Sequence, residues 1–291
     1  MPSTRRFMQL DVFSHQPMQG NPLAVVIDGD GLDEVTMRAF ARWTNLSETA
    51  FLLTPTEPGA DYRVRIFTPR QELPFAGHPS VGSAYVAVEA GRVAAGKASL
   101  VQQCAAGLLP VRVDGYGPAR TIHVQAPRAQ VQRVEAALRD ALGTTLHTGL
   151  DETQLRLVDN GPRWWVCRLP DATHVRALQP DLHAIAALCE RHGAIGVSVF
   201  GRESAGATAM AVRAFCPADG IPEDPVTGSV NAGIMAFLVD SGDTTFGTHY
   251  RASQGREVER DGYVDVAHDP ATGAVTIGGQ CVVLIRGELE L

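Results

Sequence analysis

The sequence predicts an α+β fold of two similar lobes, each a curved, mostly antiparallel sheet or barrel wrapped around a central helix. Three observations predict it: an internal repeat, the order of strand and helix patterns within each half, and two helices apolar on almost every face. The repeat is legible in VRIFTP (64–69) and VRAFCP (212–217), where four of six positions agree at an offset of 148. That offset also sets Asp33 on Asp181, Pro74 on Pro222 and Ala84 on Ala232, an ungapped register across two helices and a strand.

Both halves then read in one order. LAVVID in the first half and WWVCRLP in the second are apolar strands leading into amphipathic helices. The first helix runs through VTMRAFARWTN and the second through HAIAALCERH. Asp33 and Asp181 stand where a side chain can accept from first-turn N–H groups, and Gly193 stops the second helix. Short strands follow, TAFLLTP and YRVRIFTP against AIGVSVFG and MAVRAF, and then a proline-marked turn. Last come SVGSAYVAVEAG after Gly77-His78-Pro79 and GSVNAGIMAFLVDSG after Asp224-Pro225, both rich in small residues. A helix apolar nearly all round has no face to give to solvent, so each must be enclosed by its own sheet. QAPRAQVQ (125–132) marks the boundary, giving one lobe over 1–127 and another over 128–274. The closing strand within 275–291 is expected to rejoin the first lobe.

Composition narrows the function. A net charge of −7 lacks the basic face that phosphate binding needs, so nucleic acid is not the expected partner. No apolar run approaches the length of a membrane span, and the opening MPSTRRFMQLDVF lacks a signal-peptide core, so a cytoplasmic protein is expected. Cys104, Cys167, Cys189, Cys216 and Cys281 are scattered without zinc spacing and read as reduced thiols. No G-x-G-x-x-G follows a strand, and Lys97 is the sole lysine. Neither a metal nor an organic cofactor is expected.

The chemistry is expected where the two enclosed helices begin. A helix start presents unsatisfied N–H groups and a positive dipole end, and small residues let a ligand approach the backbone. AGHPS and PVTGS are two such starts, which similar lobes would bring to a single cleft suited to a small carboxylate. At the 148 offset Glu48 falls on Gly196 and Asp224 falls on Ala76, so each acid exists in one half only. A lone Glu after a helix is ordinarily solvated; one facing an apolar cleft gains proton affinity, as proton transfer requires. His78 is a third candidate, against the ordinary reading of a satisfied structural histidine. Thr227 and Ser229 read as caps of the second helix, without a nucleophile elbow around either, and Arg251, Arg256 and Arg260 read as surface charge.

At these motifs the chain resembles a known family. DVFSHQPMQGNPLAVV, NLSETAFLL, VRIFTPRQELPFAGHPSVGSA and GIPEDPVTGSVNAG occur in the order found in the PhzF (phenazine biosynthesis) family, from about Met8 to Ala232. The resemblance implies the two-lobed diaminopimelate-epimerase-like fold and a cofactor-independent isomerase. The founding activity moves a proton within trans-2,3-dihydro-3-hydroxyanthranilate. By the same resemblance Glu48 matches the family's acid/base, Gly77 and His78 the first-lobe substrate contacts, and Asp224, Gly228 and Ser229 the second-lobe ones. Glu48, Asp224 and His78 are therefore the expected catalytic residues, and Gly77, Gly228 and Ser229 the expected substrate contacts. A homodimer is also implied. The two-thiol epimerases of this fold carry a Cys at each helix start, where this chain has Ala76 and, approximately, Pro225. After Gln254-Gly255 the chain reads REVERDGY where the family often has Gly-Arg-Pro-Ser. Two alternatives stand beside this reading: an isomerase or lyase acting on a different small carboxylic acid, and a non-catalytic binding protein with the same cleft.

Overall fold

The computed structural model describes residues 3–94, 96–204 and 206–291. They fall into two compact units, Met1–Gln125 with Gly278–Leu291, and Ala126–Ile277.

The first unit opens with β1 (Thr4–Val12), β2 (Asn21–Val26), α1 (Glu34–Thr44), β3 (Glu48–Leu53) and β4 (Tyr62–Phe67). It continues with β5 (Glu72–Leu73), α2 (Gly77–Glu89), β6 (Ser99–Cys104), β7 (Gly107–Asp114) and β8 (Thr121–Gln125). Strands β1 and β2 pair antiparallel, β2 and β3 parallel, β3 and β4 antiparallel, β4 and β6 parallel, and β6 to β8 antiparallel in turn. The parallel pairs fall where a helix carries the chain over the sheet, as such crossovers require. The sheet is mixed, and apart from these two parallel pairs its strands β1 to β8 pair antiparallel, in keeping with the mostly antiparallel sheet expected.

Helix α1 lies outside this sheet. Asp33 accepts from the Thr36 N–H at 2.8 Å, and Asn45 ends the helix in the left-handed region at φ 53°. Phe40 of α1 meets Phe51 edge-on, and Phe51 meets Phe67 in the same way, so the helix is fixed by aromatic packing on β3 and β4. Helix α2 is buried from Gly77 to Ala87, with the sheet around it. A Cβ at Gly82 would come within 2.5 Å of Leu23 and 2.8 Å of Val12, so only glycine lets the helix lie this close to β1 and β2. It begins at Gly77, earlier than the expected Ser80, because Pro79 is tolerated in a first turn where no intrahelical donor is needed.

The second unit comprises β9 (Gln130–Arg133), α3 (Ala136–Thr145), β10 (Leu155–Asp159), β11 (Arg163–Arg168), α4 (Ala172–Ala177), α5 (Leu182–His192) and β12 (Gly196–Arg202). After these come β13 (Met210–Cys216), β14 (Ile221–Asp224), α6 (Gly228–Ser241), β15 (His249–Gln254) and β16 (Gly262–His268). Its ladder runs β9–β10–β11 antiparallel, β11–β12 parallel, β12–β13 antiparallel, β13–β15 parallel and β15–β16 antiparallel. Asp181 accepts from the Ala184 N–H at 2.9 Å, and Gly193 closes α5 at φ 65°. An outer core of Leu142, Trp165, Val175, Ile185 and Cys189 holds α3, α4 and α5. Helix α6 is buried along most of its length, with Phe237 edge-on to Phe200 of β12 at 5.3 Å.

The last strand, β17 (Val275–Glu290), pairs antiparallel with β1 from Cys281 to Glu290 and also pairs with β8. The first unit's ladder β1–β2–β3–β4–β6–β7–β8–β17 is thereby a closed barrel around α2. The register of the repeat is not ungapped. Tyr62 and Met210 open their strands 148 positions apart, whereas Gly77 and Gly228 open their helices 151 apart. The added residues form a 3₁₀ turn at Pro217–Asp219, closed by Gly220 at φ 83°. No helix among the described residues is long and apolar enough to cross a membrane. All five cysteines are buried and outside any disulfide.

Candidate active site

In the first unit the site is built at the join of α1 and β3. The left-handed Asn45 turns the chain out of the helix, and the Thr44 and Thr49 hydroxyls meet across the turn at 2.9 Å. Ser47 donates to Asn21 Oδ1 at 3.3 Å, which ties the link to the start of β2. Glu48 then opens β3 opposite Leu23 of the parallel strand β2, with its side chain 16 % exposed. His78, in the first turn of α2, is 4 % exposed, and its Nε2 stands 3.6 Å from Glu48 Oε2. Burial pushes the imidazole down to about 3, so it is neutral at pH 7 and the pair is not an ion pair. Among the described residues His78 Nε2 has no hydrogen-bond partner. No side chain among the described residues caps α2, and its first intrahelical bond runs from Ser80 N–H to Ala76 C=O. Pro79 has no N–H, so the helix start presents the donors of Gly77 and His78 alone. The structure thus brings Glu48, Gly77 and His78 together.

The second unit gathers Asp224, Gly228 and Ser229 at the start of α6. Asp224 ends β14 and is 7 % exposed; its Oδ2 accepts from the Thr227 hydroxyl at 2.5 Å. Thr227 occupies the N-cap position of α6 but makes no cap bond with its side chain, contrary to the expectation from sequence. Its Oγ1 instead accepts from Gln254 Nε2 at 2.9 Å while its proton goes to Asp224, so the oxygen that would cap the helix is engaged elsewhere. Ser229 does not cap either: its Oγ accepts from Trp164 Nε1 at 3.2 Å, and its carbonyl accepts from Asn160 Nδ2 at 2.8 Å. The first turn therefore offers the N–H groups of Gly228, Ser229 and Val230, the first intrahelical bond being Asn231 N–H to Thr227 C=O.

Asn160, Trp164 and Gln254 are residues of this site that sequence reasoning missed. The one local signal was the pairing of Gln254 with Gly255. The three-residue slip also changes a counterpart. Measured from its helix, Asp224 stands where Leu73 stands in the first unit, so Ala76 is not its structural match. Arg251 pairs with Asp265 at 2.7 Å, while Arg256 reaches both Asp261 and Glu203, so the second is part of a network rather than plain surface charge. Among the described residues no three His, Cys, Asp or Glu side chains could hold a metal ion. A separate recess of about 420 Å³ in the first unit, lined by Glu89, Lys97, Asp114, Tyr116 and Arg120, contains none of the candidate residues.

What each start can do chemically follows from its acid. A carboxyl beside a neutral imidazole can take and release a proton without breaking an ion pair. A carboxylate tied to a hydroxyl beside an uncapped helix start can hold a polar ligand in place.

Comparison with known proteins agrees in sequence and in fold. The family model described as phenazine biosynthesis-like protein, PhzC-PhzF, matches residues 10–287. The protein named antisense-enhancing sequence 1 of Schizosaccharomyces pombe is 37 % identical over 290 residues, covering 97 % of each chain. The trans-2,3-dihydro-3-hydroxyanthranilate isomerase of Pseudomonas aeruginosa is 33 % identical over 293 residues, covering 98 % of this chain and 99 % of its own. A crystal structure of a PhzF-family phenazine biosynthesis protein from Bacillus anthracis superposes with a TM-score of 0.84 at 25 % identity, covering 99 % of this chain and all of the other. With its motifs in order, its barrel closed around an uncapped helix and its whole length matched, the chain belongs to the PhzC-PhzF, phenazine biosynthesis-like family of isomerases.

Proposed function

We propose that the protein is a cofactor-independent isomerase that moves a proton, and with it a double bond, within a small and cyclic amino or hydroxy acid. Glu48 is the acid/base in this reading. It takes a proton from one carbon, the electron pair shifts into the conjugated system, and the same carboxyl, its proton exchanged with solvent, delivers a proton to another carbon. Atoms and charge balance without a metal, an oxidant or a co-substrate. The observation that carries the proposal is Glu48 placed 3.6 Å from the buried, neutral His78 at the uncapped start of α2. A neutral neighbour leaves the carboxyl free to change protonation; a cationic one would hold it ionised.

The N–H groups of Gly77 and of Gly228 and Ser229 suit the carboxylate of such a substrate, because helix starts favour negative charge. Asp224 is assigned to a neutral or cationic part of the ligand, such as its amino group. That both helix starts serve one substrate is proposed on the family likeness alone. The two units are further read as pseudo-symmetric copies of one design, a reading that the matching order of parallel and antiparallel pairs supports. A homodimer belongs to the same proposal.

The substrate named for the Pseudomonas aeruginosa relative, trans-2,3-dihydro-3-hydroxyanthranilate, is the first compound to test. Proton NMR of the reaction in deuterium oxide should show isomerisation with deuterium entering one carbon position. If neither this compound nor a panel of cyclic and acyclic amino and hydroxy acids exchanges any carbon-bound proton, the catalytic reading fails.

A further inference from the structure

In the second unit the Asp224 turn is held by a residue far along the chain. Gln254 ends β15 fully buried, and its amide spends both ends on that turn. Its Oε1 accepts from the Thr227 backbone N–H at 3.0 Å and from Asn231 Nδ2 at 3.1 Å. Its Nε2 donates to the Asp224 carbonyl at 3.1 Å and to Thr227 Oγ1 at 2.9 Å. The amide cannot be reversed, since a backbone N–H only donates and a backbone carbonyl only accepts. With Nε2 donating into Oγ1, Thr227 must send its single hydroxyl proton elsewhere, and Asp224 Oδ2 lies 2.5 Å away.

The next residue clamps the same turn through the backbone. Gly255 adopts φ 102°, and a Cβ there would lie 2.6 Å from the Pro225 carbonyl oxygen. Beyond it the segment that departs from the family pattern is pinned: Arg256 bonds Asp261 at 2.8 Å, and Arg176 bonds Glu257 at 3.1 Å.

We infer that Gln254 is a positioning residue: through Thr227 it holds the Asp224 side chain in one orientation, as a hydrogen-bond acceptor, for the substrate. The inference rests on the proposed reading of Asp224 as a substrate contact. A direct chain of donors, from Gln254 Nε2 to Thr227 Oγ1 and from Oγ1 to Asp224 Oδ2, transmits the constraint to the carboxylate. Gly255 supports it by closing the turn from the other side.

The test compares Thr227→Val, which removes only the hydroxyl, with Thr227→Ser, which keeps it, and with Gln254→Glu, which removes the Nε2 donor. With trans-2,3-dihydro-3-hydroxyanthranilate as probe, Thr227→Val should raise KM about 10-fold, the usual scale for a hydrogen bond to a charged group, with a smaller change in kcat. Thr227→Ser should restore KM. Combining Thr227→Val with Gln254→Glu should raise KM by less than the product of the two single effects, since the Thr227 hydroxyl is common to both although Gln254→Glu also removes the bond to the Asp224 carbonyl. A second readout needs no substrate: the carbon-13 carboxyl resonance of Asp224, identified by its absence in Asp224→Asn. It should move in Thr227→Val and stay in Thr227→Ser. An inert wild type would defeat the reading of function and leave this resonance to decide the inference. If the Asp224 resonance is unmoved in Thr227→Val, or if Thr227→Ser behaves like Thr227→Val, the relay is wrong. Should Gln254→Glu not fold, the Thr227 pair decides alone.

Discussion

The two units open corresponding strands with opposite residues. In the first, Glu48 begins β3 opposite Leu23; in the second, Gly196 begins β12 opposite Trp164. No side chain fits at Gly196, where a Cβ would meet the Phe215 carbonyl oxygen at 2.2 Å and the Trp164 ring at 2.4 Å. The indole fills that space and sends its N–H to Ser229. The acid of the second unit is instead Asp224, at the end of β14 and bound to Thr227, which Gln254 in turn holds. The first acid stands by a buried imidazole that carries no charge at neutral pH. On the proposed function this difference separates two jobs. A group that carries a proton must be able to gain and lose it, whereas a group that anchors a ligand is better fixed as an acceptor.

The comparison breaks most easily at the acids. Glu48→Gln should lower turnover by about 10²–10⁴, the usual loss for a general acid/base, with little change in ligand affinity. Asp224→Asn should act chiefly on KM, raising it about 10- to 100-fold with a smaller fall in kcat. Steady-state kinetics of the two variants measures both. Equal losses of kcat in the two would erase the distinction between carrier and anchor.

The neutral His78 makes a prediction about stability. Its folded-state pKa, about 3, lies below the ordinary histidine value of 6.5. Between those values the unfolded chain binds the proton and the folded protein does not. Stability from this group is therefore complete above pH 6.5 and lost as pH falls towards 3, by about 2 kcal/mol between pH 7 and pH 5. Urea unfolding across that range should show the decline, and His78→Gln should flatten it. A wild-type curve as flat as the variant's would mean that the imidazole is charged in the folded state.

The smallest expected effect concerns what the units share. Asp33 and Asp181 cap α1 and α5 in the same way, each accepting from the N–H three positions on. Asp33→Ala and Asp181→Ala should each lower the thermal unfolding midpoint slightly, with turnover unchanged. A large loss of activity in one alone would show that its cap belongs to the site and not to the common scaffold.

Much of this was legible in the sequence because it is local. The Asp caps and Gly193 follow from residues a few positions apart, and the structure bears them out. The strands lie where their patterns place them, with starts that differ by up to two residues. Helix α2 starts earlier than read, because a proline near a helix can lie inside the first turn as well as before it. The slip to 151 was hidden because the strands keep 148 on one side of it. Thr227 read as a cap because its type and place suit one, and only the tertiary fold brings Gln254 and Asp224 to compete for its hydroxyl. Asn160 and Trp164 reach Ser229 across 69 and 65 positions, a distance that leaves no pattern in a single chain.

The central claim is that Glu48 carries the proton. It is tested most directly by mass spectrometry of product formed in deuterium oxide under single-turnover conditions, for wild type and Glu48→Gln, with ligand affinity checked by calorimetry. The account predicts deuterium at one carbon position of the wild-type product. It predicts no carbon-bound deuterium with Glu48→Gln, despite near-normal binding and an unchanged unfolding midpoint. Deuterium incorporated by Glu48→Gln at a tenth of the wild-type rate or faster would contradict it and assign the proton to another group.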